Sequence, residues 1–267
     1  MITCNIMGPS KIEGHYMAGL GNQMFTVATT IAMAIDNKDI PIFPDLNNKS
    51  WYGNYTDNVF SKLKLGVSKG FVKNTYNEKS WKYSKIDYKE NMCLNGYFQS
   101  HKYFEHRRDM ILKIFQPTKE INGYINQKYK NFLEMENTVA VHVRRGDYLT
   151  PTLSQYHHTQ DKDYYRRAMK EFPEDYNFVF FSDDIEWCKV NFKEKNFYFV
   201  EGEQDFIDLY MMSKMKNNII ANSTFSWWGA WLNKNENKKV IMPTKWYGLK
   251  NIEKEDHDMY VDGWIKL

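Results

Sequence analysis

The sequence predicts an α/β protein in which the C-terminal half forms a parallel β-sheet covered by helices on both faces. Two observations support this prediction: short strands alternate with helical segments of about ten residues, and the strands are apolar at almost every position. Such strands are typical of parallel sheets, because both faces of a parallel sheet are buried. The pattern indicates a Rossmann-like, doubly wound domain, which binds its ligand at the carboxyl ends of the strands.

Strands and helices are predicted to alternate through the C-terminal half. The strands are expected at residues 138–143, 177–181, 197–200, 218–221 and 239–242. The helices are expected at residues 163–172, 184–190, 205–216 and 223–231. The first of these helices has an acidic residue in its first turn and stops before Pro173, because proline cannot continue a helix.

The N-terminal half has a less regular pattern. Strands are expected at 2–7 and 40–43, and helices at 22–35, where apolar residues recur at helical spacing, and at 103–115. Residues 47–95 are rich in Asn, Lys, Ser and Tyr with weak periodicity, so no element is assigned to them. The polar stretch at 120–137 suggests the boundary between an N-terminal domain of residues 1–130 and a C-terminal domain of residues 131–267.

The composition excludes several classes of protein. The 267 residues carry 36 basic and 33 acidic side chains, and a net charge of +3 is too weak to indicate a nucleic-acid or membrane-surface partner. No run reaches the roughly 18–20 apolar residues of a membrane span, and no signal peptide is recognisable. The three cysteines lie far apart, which indicates free thiols in a reducing compartment and neither disulfides nor a zinc site. We therefore expect a soluble, cytoplasmic protein without a structural metal.

Two arginines follow the first predicted strand of the C-terminal half, in the segment His-Val-Arg-Arg-Gly-Asp-Tyr at 142–148. Gly146 permits a tight turn at the place where a doubly wound sheet binds phosphates. Arg144 and Arg145 suit this role, since a guanidinium binds phosphate through two parallel hydrogen bonds and stays charged at any working pH. The alternative is a surface ion pair between these arginines and Asp147.

Two other strands of this half also end in polar residues. Asp183 and Asp184 can accept hydrogen bonds from a ribose or a purine, although an acidic residue before a helix is also an ordinary N-cap. Ser223 and Thr224 begin a helix whose free backbone amides and dipole favour an anion. The tryptophans that follow, Trp227 and Trp228, are expected to pack between helix and sheet.

A glycine loop precedes the predicted helix at 22–35. Its sequence, Gly-Leu-Gly at 19–21, lacks the third glycine of a dinucleotide fingerprint, yet it permits close approach of the backbone to a ligand. Asn22 and Gln23 follow directly, and either side chain can orient a sugar hydroxyl or cap the helix.

Two patterns that can suggest a metal are interpreted otherwise. Asp161 and Asp163 have the spacing of metal-dependent sugar-nucleotide sites, but they precede a helix, which favours capping. His157 and His158 are adjacent, and neighbours in sequence rarely converge on one ion. The sequence therefore predicts no metal site.

Four of these segments together resemble the α-1,2-fucosyltransferases of glycosyltransferase family 11. They are Gly-Leu-Gly-Asn-Gln-Met-Phe at 19–25, the arginine segment at 142–148, Ser-Asp-Asp at 182–184 and Ser-Thr-Phe-Ser-Trp-Trp at 223–228, in the family's order. The resemblance implies a GT-B architecture, with an acceptor-side N-terminal domain and a C-terminal domain that holds GDP-fucose. It also implies metal-independent, inverting transfer of L-fucose to the 2-hydroxyl of a terminal galactose in a glycan, with no cofactor beyond the donor substrate.

The resemblance also implies roles for the matched residues. Arg144, supported by Arg145, is expected to contact the diphosphate and offset the charge that develops on departing GDP. Asp147 is the candidate base, with an ion pair that positions an arginine as the alternative. His142 and one of the two aspartates, Asp183 or Asp184, are expected near the guanine. The other implied contacts to the donor substrate come from Gly21, Ser223, Thr224 and Phe225, and those to the acceptor from Asn22 and Gln23, with Asn22 also near the fucose.

Other interpretations remain open from the sequence. A fucosyltransferase of another linkage, or one with a protein acceptor, would share the arginine segment, but the Ser-Thr-Phe-Ser-Trp-Trp run favours the α-1,2 group. A non-catalytic carbohydrate-binding protein would use the aromatic residues, which make up 16 % of the chain. The chain retains Arg144, Asp147 and Asn22, which argues against a protein that has lost its catalytic activity. RNA binding is disfavoured, because no basic stripe or RNA-binding motif is present.

Overall fold

The computed structural model describes residues 1–6, 11–12, 15–16, 18–43, 55–66, 68–254 and 257–267. The chain divides into two compact units. The N-terminal unit consists of Met1–Thr118 and Asp256–Val261, and the C-terminal unit consists of Lys119–Glu255 and Asp262–Leu267. Residues 119–130, which precede the predicted domain boundary, thus belong to the second unit.

The N-terminal unit is built around a parallel sheet and one long helix. Its elements are β1 (Ile2–Cys4), β2 (Lys11–Ile12), β3 (His15–Tyr16), α1 (Leu20–Asp36), β4 (Asn74–Asn77), β5 (Met92–Asn95) and α2 (Arg108–Ile114). The parallel sheet has the order β1-β5-β4, and β2 pairs with β3 antiparallel. Most of α1 is buried, including Met24, Val27 and Ile31, which confirms the helical spacing seen in the sequence.

Of the two strands predicted near the N-terminus, one is shorter than expected and the other does not form. β1 ends at Cys4, and Met7, the end of the predicted strand, lies outside the described residues. Residues 40–43 form no strand, and Pro41 makes only an isolated parallel bridge with Ile2. Proline has no backbone N–H to contribute to a ladder, which limits pairing at this position.

The middle of the N-terminal unit differs most from the prediction. β4 and β5 both lie in the stretch at 47–95, to which the sequence analysis assigned no element. The helix predicted at 103–115 starts only at Arg108, because two short 3₁₀ turns precede it. Pairing with distant strands, which a local pattern does not record, decides the conformation of these residues.

The C-terminal unit contains helices and strands in the alternating order that the sequence predicts. They are α3 (Lys119–Lys128), α4 (Lys130–Glu134), β6 (Thr138–Val143), α5 (Lys162–Met169), β7 (Asn177–Ser182), α6 (Ile185–Asn191), β8 (Phe197–Phe199), α7 (Asp205–Lys214), β9 (Asn217–Ile219), α8 (Thr224–Leu232), β10 (Val240–Met242) and β11 (Ile265–Lys266). Each predicted strand and helix of this half is present, with its ends shifted by a few residues. α3, α4 and β11 were not predicted.

The strands of the C-terminal unit form one parallel sheet in the order β11-β10-β9-β6-β7-β8. Numbered from β6, this is the 3-2-1-4-5-6 order of doubly wound nucleotide-binding folds, which confirms the Rossmann-like prediction. The order reverses between β6 and β9. In open α/β sheets of this kind, that reversal is where a ligand binds.

Aromatic and β-branched side chains fill the core around this sheet. Val139, Val141 and Val143 of β6 are fully buried and pack in one cluster with Phe180 and Tyr165. On α8, Trp227, Trp228 and Trp231 are also buried and contact one another. Full burial of such a side chain contributes about 1.5–3 kcal/mol, so these strands are held mainly by the hydrophobic effect.

The segment Asp256–Val261 returns to the N-terminal unit after the chain has completed most of the C-terminal one. Asp258 joins it to the rest of that unit: its carboxylate accepts the backbone N–H of Tyr83 at 2.5 Å and pairs with Lys102 Nζ at 2.6 Å. The chain then re-enters the C-terminal unit, where β11 pairs with β10.

The three cysteines, Cys4, Cys93 and Cys188, are free and buried, as the sequence predicts. Burial raises the pKa of the Cys4 and Cys188 thiols to about 12. Among the helices of the described ranges, none has the length and apolar character needed to cross a membrane.

Candidate active site

The candidate site lies at the carboxyl ends of three neighbouring strands in the C-terminal unit. β6 is flanked by β7 on one side and by β9 on the other, so the segments that follow these strands adjoin. These segments carry the arginines at 144–145, the aspartates at 183–184 and the start of α8. The fold thus brings together three motifs that are far apart in the sequence.

Arg144 lies between two carboxylates. Its Nη2 donates to Asp147 Oδ1 at 2.5 Å, and its Nη1 lies 2.8 Å from Asp183 Oδ2. The guanidinium carbon also lies 5.1 Å from the ring centroid of Tyr148. The ion pair with Asp147 that the sequence left open is therefore present, and the arginine is held in place while 24 % of its side chain stays exposed.

Gly146 lets Asp183 reach the arginine segment. A Cβ at position 146 would lie 2.5 Å from Asp183 Oδ2, so any larger residue would displace this carboxylate. Asp183 Oδ1 accepts the backbone N–H of Arg145 at 2.8 Å. Burial raises the pKa of Asp183, and the nearby Arg144 opposes this shift. The glycine thus provides close contact as well as the turn that the sequence predicts.

Arg145 is fixed by a carboxylate and an aromatic ring. Its Nε donates to Asp184 Oδ2 at 3.0 Å, and its guanidinium carbon lies 4.0 Å from the ring centroid of Trp187. Asp184 also caps α6, since its Oδ1 accepts the backbone N–H of Trp187 at 3.3 Å. The capping role considered from the sequence is confirmed for Asp184, which contacts an arginine at the same time.

His142 and Phe225 meet where the strand order reverses. Their ring centroids are 5.4 Å apart. His142 is buried, and its Nδ1 has no hydrogen-bond partner among the described residues. Burial, with a smaller effect of Arg144, lowers the pKa of His142 to about 3, so the imidazole is neutral at physiological pH. Such a ring can give or accept a hydrogen bond without adding charge.

The first turn of α8 lies on the same side of the reversal point. Ser223 is the N-cap residue, but its hydroxyl makes no capping hydrogen bond. Thr224 and Phe225 are the first helical residues and are half-buried. Backbone amides at such a helix start can bind an anion.

Arg144 lies over the ring of Tyr148, and this ring is itself part of an aromatic stack. The rings of Tyr148 and His157 are stacked, with centroids 4.4 Å apart and an angle of 9°. The Tyr148 hydroxyl donates to the backbone oxygen of Asn222 at 3.3 Å, which links the stack to the turn before α8. Burial lowers the pKa of His157 to about 4, which keeps its ring neutral beside the arginine. No local sequence pattern predicts this stack.

The glycine-loop residues lie in the N-terminal unit, where α1 starts at Leu20 with Gly19 as its N-cap residue. Gly21, Asn22 and Gln23 therefore belong to the first helical turn, and the N-cap residue, Gly19, makes no side-chain capping hydrogen bond. Gln23 is buried and donates from Nε2 to the Ala18 oxygen at 2.8 Å. Asn22 is half-buried, and its Oδ1 accepts from Gln99 Nε2 at 2.8 Å.

The two patterns considered for a metal have other roles. Asp161 caps α5, since its Oδ1 accepts the backbone N–H of Tyr164 at 2.8 Å. His157 belongs to the stack under Arg144, and the backbone oxygen of His158 accepts from Asn222 Nδ2 at 2.6 Å. In the described part of the chain, no three His, Cys, Asp or Glu side chains are grouped as metal ligands would be.

Asp208 is a titratable residue that the sequence analysis did not single out. It lies on α7, which packs against α8, and its Oδ1 is buried without a hydrogen-bond partner among the described residues. Burial, with smaller effects of Glu203 and Asp205, raises the pKa of this carboxyl to about 8. A carboxyl with so large a pKa shift is a candidate functional group. The available signal was that Met211 and Met212, the residues one turn further along the same face of α7, are apolar.

Comparison with known proteins identifies the fold and the family. A family model described as glycosyl transferase family 11 matches residues 15–267. The O-antigen biosynthesis glycosyltransferase WbnK of Escherichia coli is 41 % identical over 195 residues, which are 68 % of this chain and 63 % of that protein. The alpha-1,2-colitosyltransferase of Escherichia coli is 32 % identical, and the match covers 97 % of this chain and 99 % of that protein.

Among solved structures, NodZ alpha-1,6-fucosyltransferase soaked with GDP-fucose matches with a TM-score of 0.54 at 12 % identity, over 86 % of this chain and 92 % of that one. The fold is therefore that of a GT-B-like glycosyltransferase, with a Rossmann-like C-terminal part, as the sequence predicts. The family model matches nearly the whole chain. The chain belongs to glycosyltransferase family 11.

Proposed function

We propose that this chain is a galactoside α-1,2-fucosyltransferase that uses GDP-fucose. The observation that carries the proposal is the fixed arginine pair at the end of β6, next to the start of α8, in a chain of family 11. The GDP-fucose soaked into the NodZ structure supports a GDP-sugar as the donor substrate. The α-1,2 linkage is supported by the linkage in the name of the colitosyltransferase.

In this proposal the C-terminal unit binds the diphosphate of GDP-fucose. Arg144 and Arg145 pair with the phosphate oxygens, and the amides of the first turn of α8 add further donors together with the Ser223 and Thr224 hydroxyls. These groups stabilise the charge that develops on GDP as it leaves, which is the main electrostatic demand of the reaction. Because guanidinium groups supply the positive charge, we propose that no metal ion is required.

The residues around the arginines are proposed to serve the nucleoside and to hold the cations in place. His142 is neutral, and its Nδ1 has no hydrogen-bond partner among the described residues, which suits a hydrogen bond to the base. Asp183 and Asp184 each contact an arginine, and this geometry supports a positioning role for both. A contact to guanine from either carboxylate would use its remaining lone pairs.

The proposed chemistry is a single in-line displacement. The acceptor 2-hydroxyl oxygen forms a bond to C1 of fucose while the bond from C1 to the GDP oxygen breaks, which inverts the configuration at C1. The hydroxyl proton leaves to a base or to solvent. Asp147 is the candidate base, but its 2.5 Å hydrogen bond from Arg144 favours the role of holding that arginine. Asn22 is proposed to orient the fucose or the acceptor.

A second donor substrate is favoured by one specific observation. The colitosyltransferase is 32 % identical over nearly the whole chain. Colitose is fucose without its 3-hydroxyl group, so the two donor substrates differ by one hydrogen-bonding group. Transfer from GDP-colitose in preference to GDP-fucose would assign the chain to that activity instead.

Titration calorimetry with GDP and GDP-fucose, in the presence of EDTA, tests the binding site. We expect micromolar dissociation constants, equivalent to about 7–8 kcal/mol. Arg144→Ala should weaken binding at least about tenfold, because a hydrogen bond to a charged group contributes about 1.5–3 kcal/mol. Arg166→Ala is the matched control, since Arg166 also pairs with a carboxylate and lies over aromatic rings, but on α5.

The same preparations test the reaction. Incubation with GDP-fucose and a panel of β-galactosides, with products analysed by NMR, should give fucose on the galactose 2-hydroxyl. Absence of GDP binding to the wild type would refute the proposal and favour a carbohydrate-binding role. Binding with transfer to another hydroxyl or to a protein would keep the donor substrate and change the linkage.

A further inference from the structure

A row of amide side chains crosses the carboxyl edge of the sheet in the N-terminal unit. Asn5 follows β1, Asn95 ends β5 and Asn77 ends β4. Asn5 Nδ2 donates to Asn95 Oδ1 at 3.2 Å, and Asn95 Nδ2 donates to Asn77 Oδ1 at 2.8 Å. Three strands thus present one hydrogen-bonded row of uncharged polar groups.

Two more amides extend this surface beside the start of α1. Gln99 lies four residues beyond Asn95, and its Nε2 donates to Asn22 Oδ1. The bond fixes which atoms of Gln99 remain available. Gln99 Oε1 makes no hydrogen bond with any described residue, and the same is true of Asn77 Nδ2. Asn77 is also exposed. The surface therefore offers both an acceptor and a donor.

The turn that carries Asn95 and Gln99 is rigidly held. Both carboxylate oxygens of Glu78 accept backbone N–H groups, from Tyr97 at 2.8 Å and Phe98 at 2.9 Å. Gly96 makes this possible, because a Cβ there would collide with the Glu78 side chain. Thr26 of α1 donates to the Gly96 oxygen at 3.2 Å. The amides are thus fixed before a ligand arrives, and the charge of Glu78 is directed at the backbone.

We infer that this amide row, formed by Asn5, Asn95 and Asn77 with Gln99 and Asn22, binds the hydroxyl groups of a neutral saccharide. Each amide offers both a donor and an acceptor, which matches the capacity of a sugar hydroxyl. Open parallel sheets bind ligands at the carboxyl ends of their strands, which is where the row lies. Groups that are already ordered lose little conformational entropy on binding. The inference rests on the proposed function in taking this saccharide to be the acceptor of the transfer.

Kinetics of Asn77→Ala and Gln99→Ala test the inference. Each substitution removes one neutral hydrogen bond, so KM for the saccharide acceptor should rise about five- to tenfold. The Kd for GDP should stay within about twofold, since in the proposed function the C-terminal unit supplies the contacts to the diphosphate and the nucleoside. Asn74→Ala is the matched control: Asn74 is also an asparagine of β4, but it lies at the amino end and bonds to the Glu90 oxygen. It should leave both parameters unchanged.

Saturation-transfer NMR with lactose and no donor substrate separates this inference from the proposed function. Wild type and Asn74→Ala should give a lactose signal that Asn77→Ala and Gln99→Ala reduce. That outcome supports the amide row even if GDP-fucose proves not to be the donor substrate. Unchanged lactose binding and acceptor KM in both variants, in an enzyme that does transfer fucose, would overturn the inference and leave the proposed function standing.

Discussion

Replacing Asp208 by asparagine is expected to remove a pH-dependent loss of stability from the C-terminal unit. Burial without a hydrogen bond to Oδ1 raises the pKa of Asp208 from 3.8 to about 8 in the folded chain. Between about pH 4 and 8 the folded state keeps a proton that the unfolded state releases, so stability falls as pH rises through this window. Below pH 4 both states are protonated and no penalty applies.

The size of this penalty follows from the difference between the two pKa values. Each pKa unit corresponds to about 1.4 kcal/mol, so the full window corresponds to roughly 5–6 kcal/mol of unfolding free energy. Relaxation of the folded state around the ionised carboxylate reduces this upper limit. An asparagine must still satisfy its amide in the same place, at a cost of about 1–3 kcal/mol that does not depend on pH. The change with pH, not the absolute stability, is therefore the informative quantity.

Urea unfolding followed by tryptophan fluorescence can measure the difference at a series of pH values from 5 to 8.5. Six of the eight tryptophans belong to the C-terminal unit, so the signal reports mainly on the unit that contains Asp208. Asp208→Asn should gain stability relative to the wild type as pH rises, by about 3 kcal/mol or more across the range. Asp163→Asn, at an exposed position of α5, is the control. Parallel pH curves for wild type and Asp208→Asn would refute the reasoning.

Substitutions at three further positions test the support of Arg144. If Asp147 positions the arginine, Asp147→Asn should weaken GDP-fucose binding and keep kcat within about tenfold. If Asp147 is instead the base, the same substitution should lower kcat by about 10²–10⁴-fold and alter the pH profile of kcat. His157→Ala should raise the Kd for GDP about fivefold by loosening the Tyr148 ring, and His157→Phe should restore it, as calorimetry would show. Gly146→Ala should weaken GDP binding about tenfold because its Cβ displaces Asp183, and an unchanged Kd would show that this carboxylate is dispensable.

The candidate site could largely be located from the sequence because the strands that carry it have clear apolar patterns. β6 and β7 are apolar runs with clear ends, and the residues that follow them, Arg144 and Asp183, lie where a doubly wound sheet places its ligand. Two helix starts of the C-terminal unit could also be predicted, since Asp161 and Asp184 are common N-cap types and both cap a helix.

The contacts that hold this site together depend on tertiary structure and left no local pattern. Trp187 lies over Arg145, and His157 lies under Tyr148, because separate elements bring them there. β4 was missed for a related reason: its sequence, Asn-Thr-Tyr-Asn, has no apolar run, and its conformation follows from pairing with β5. The roles proposed for Asn22 and Gln23 remain predictions.

The order of synthesis bears on how the N-terminal unit can fold. Asp258 completes contacts with Tyr83 and Lys102, yet it is translated only after almost the entire C-terminal unit. A nascent chain that has reached Thr118 therefore lacks part of its N-terminal unit. Domains usually fold one after another during synthesis, the N-terminal one first, but this unit is complete only after residues 256–261 have been made. The same connectivity constrains chimeras: exchanging the C-terminal unit between relatives means keeping residues 256–261 with the N-terminal unit.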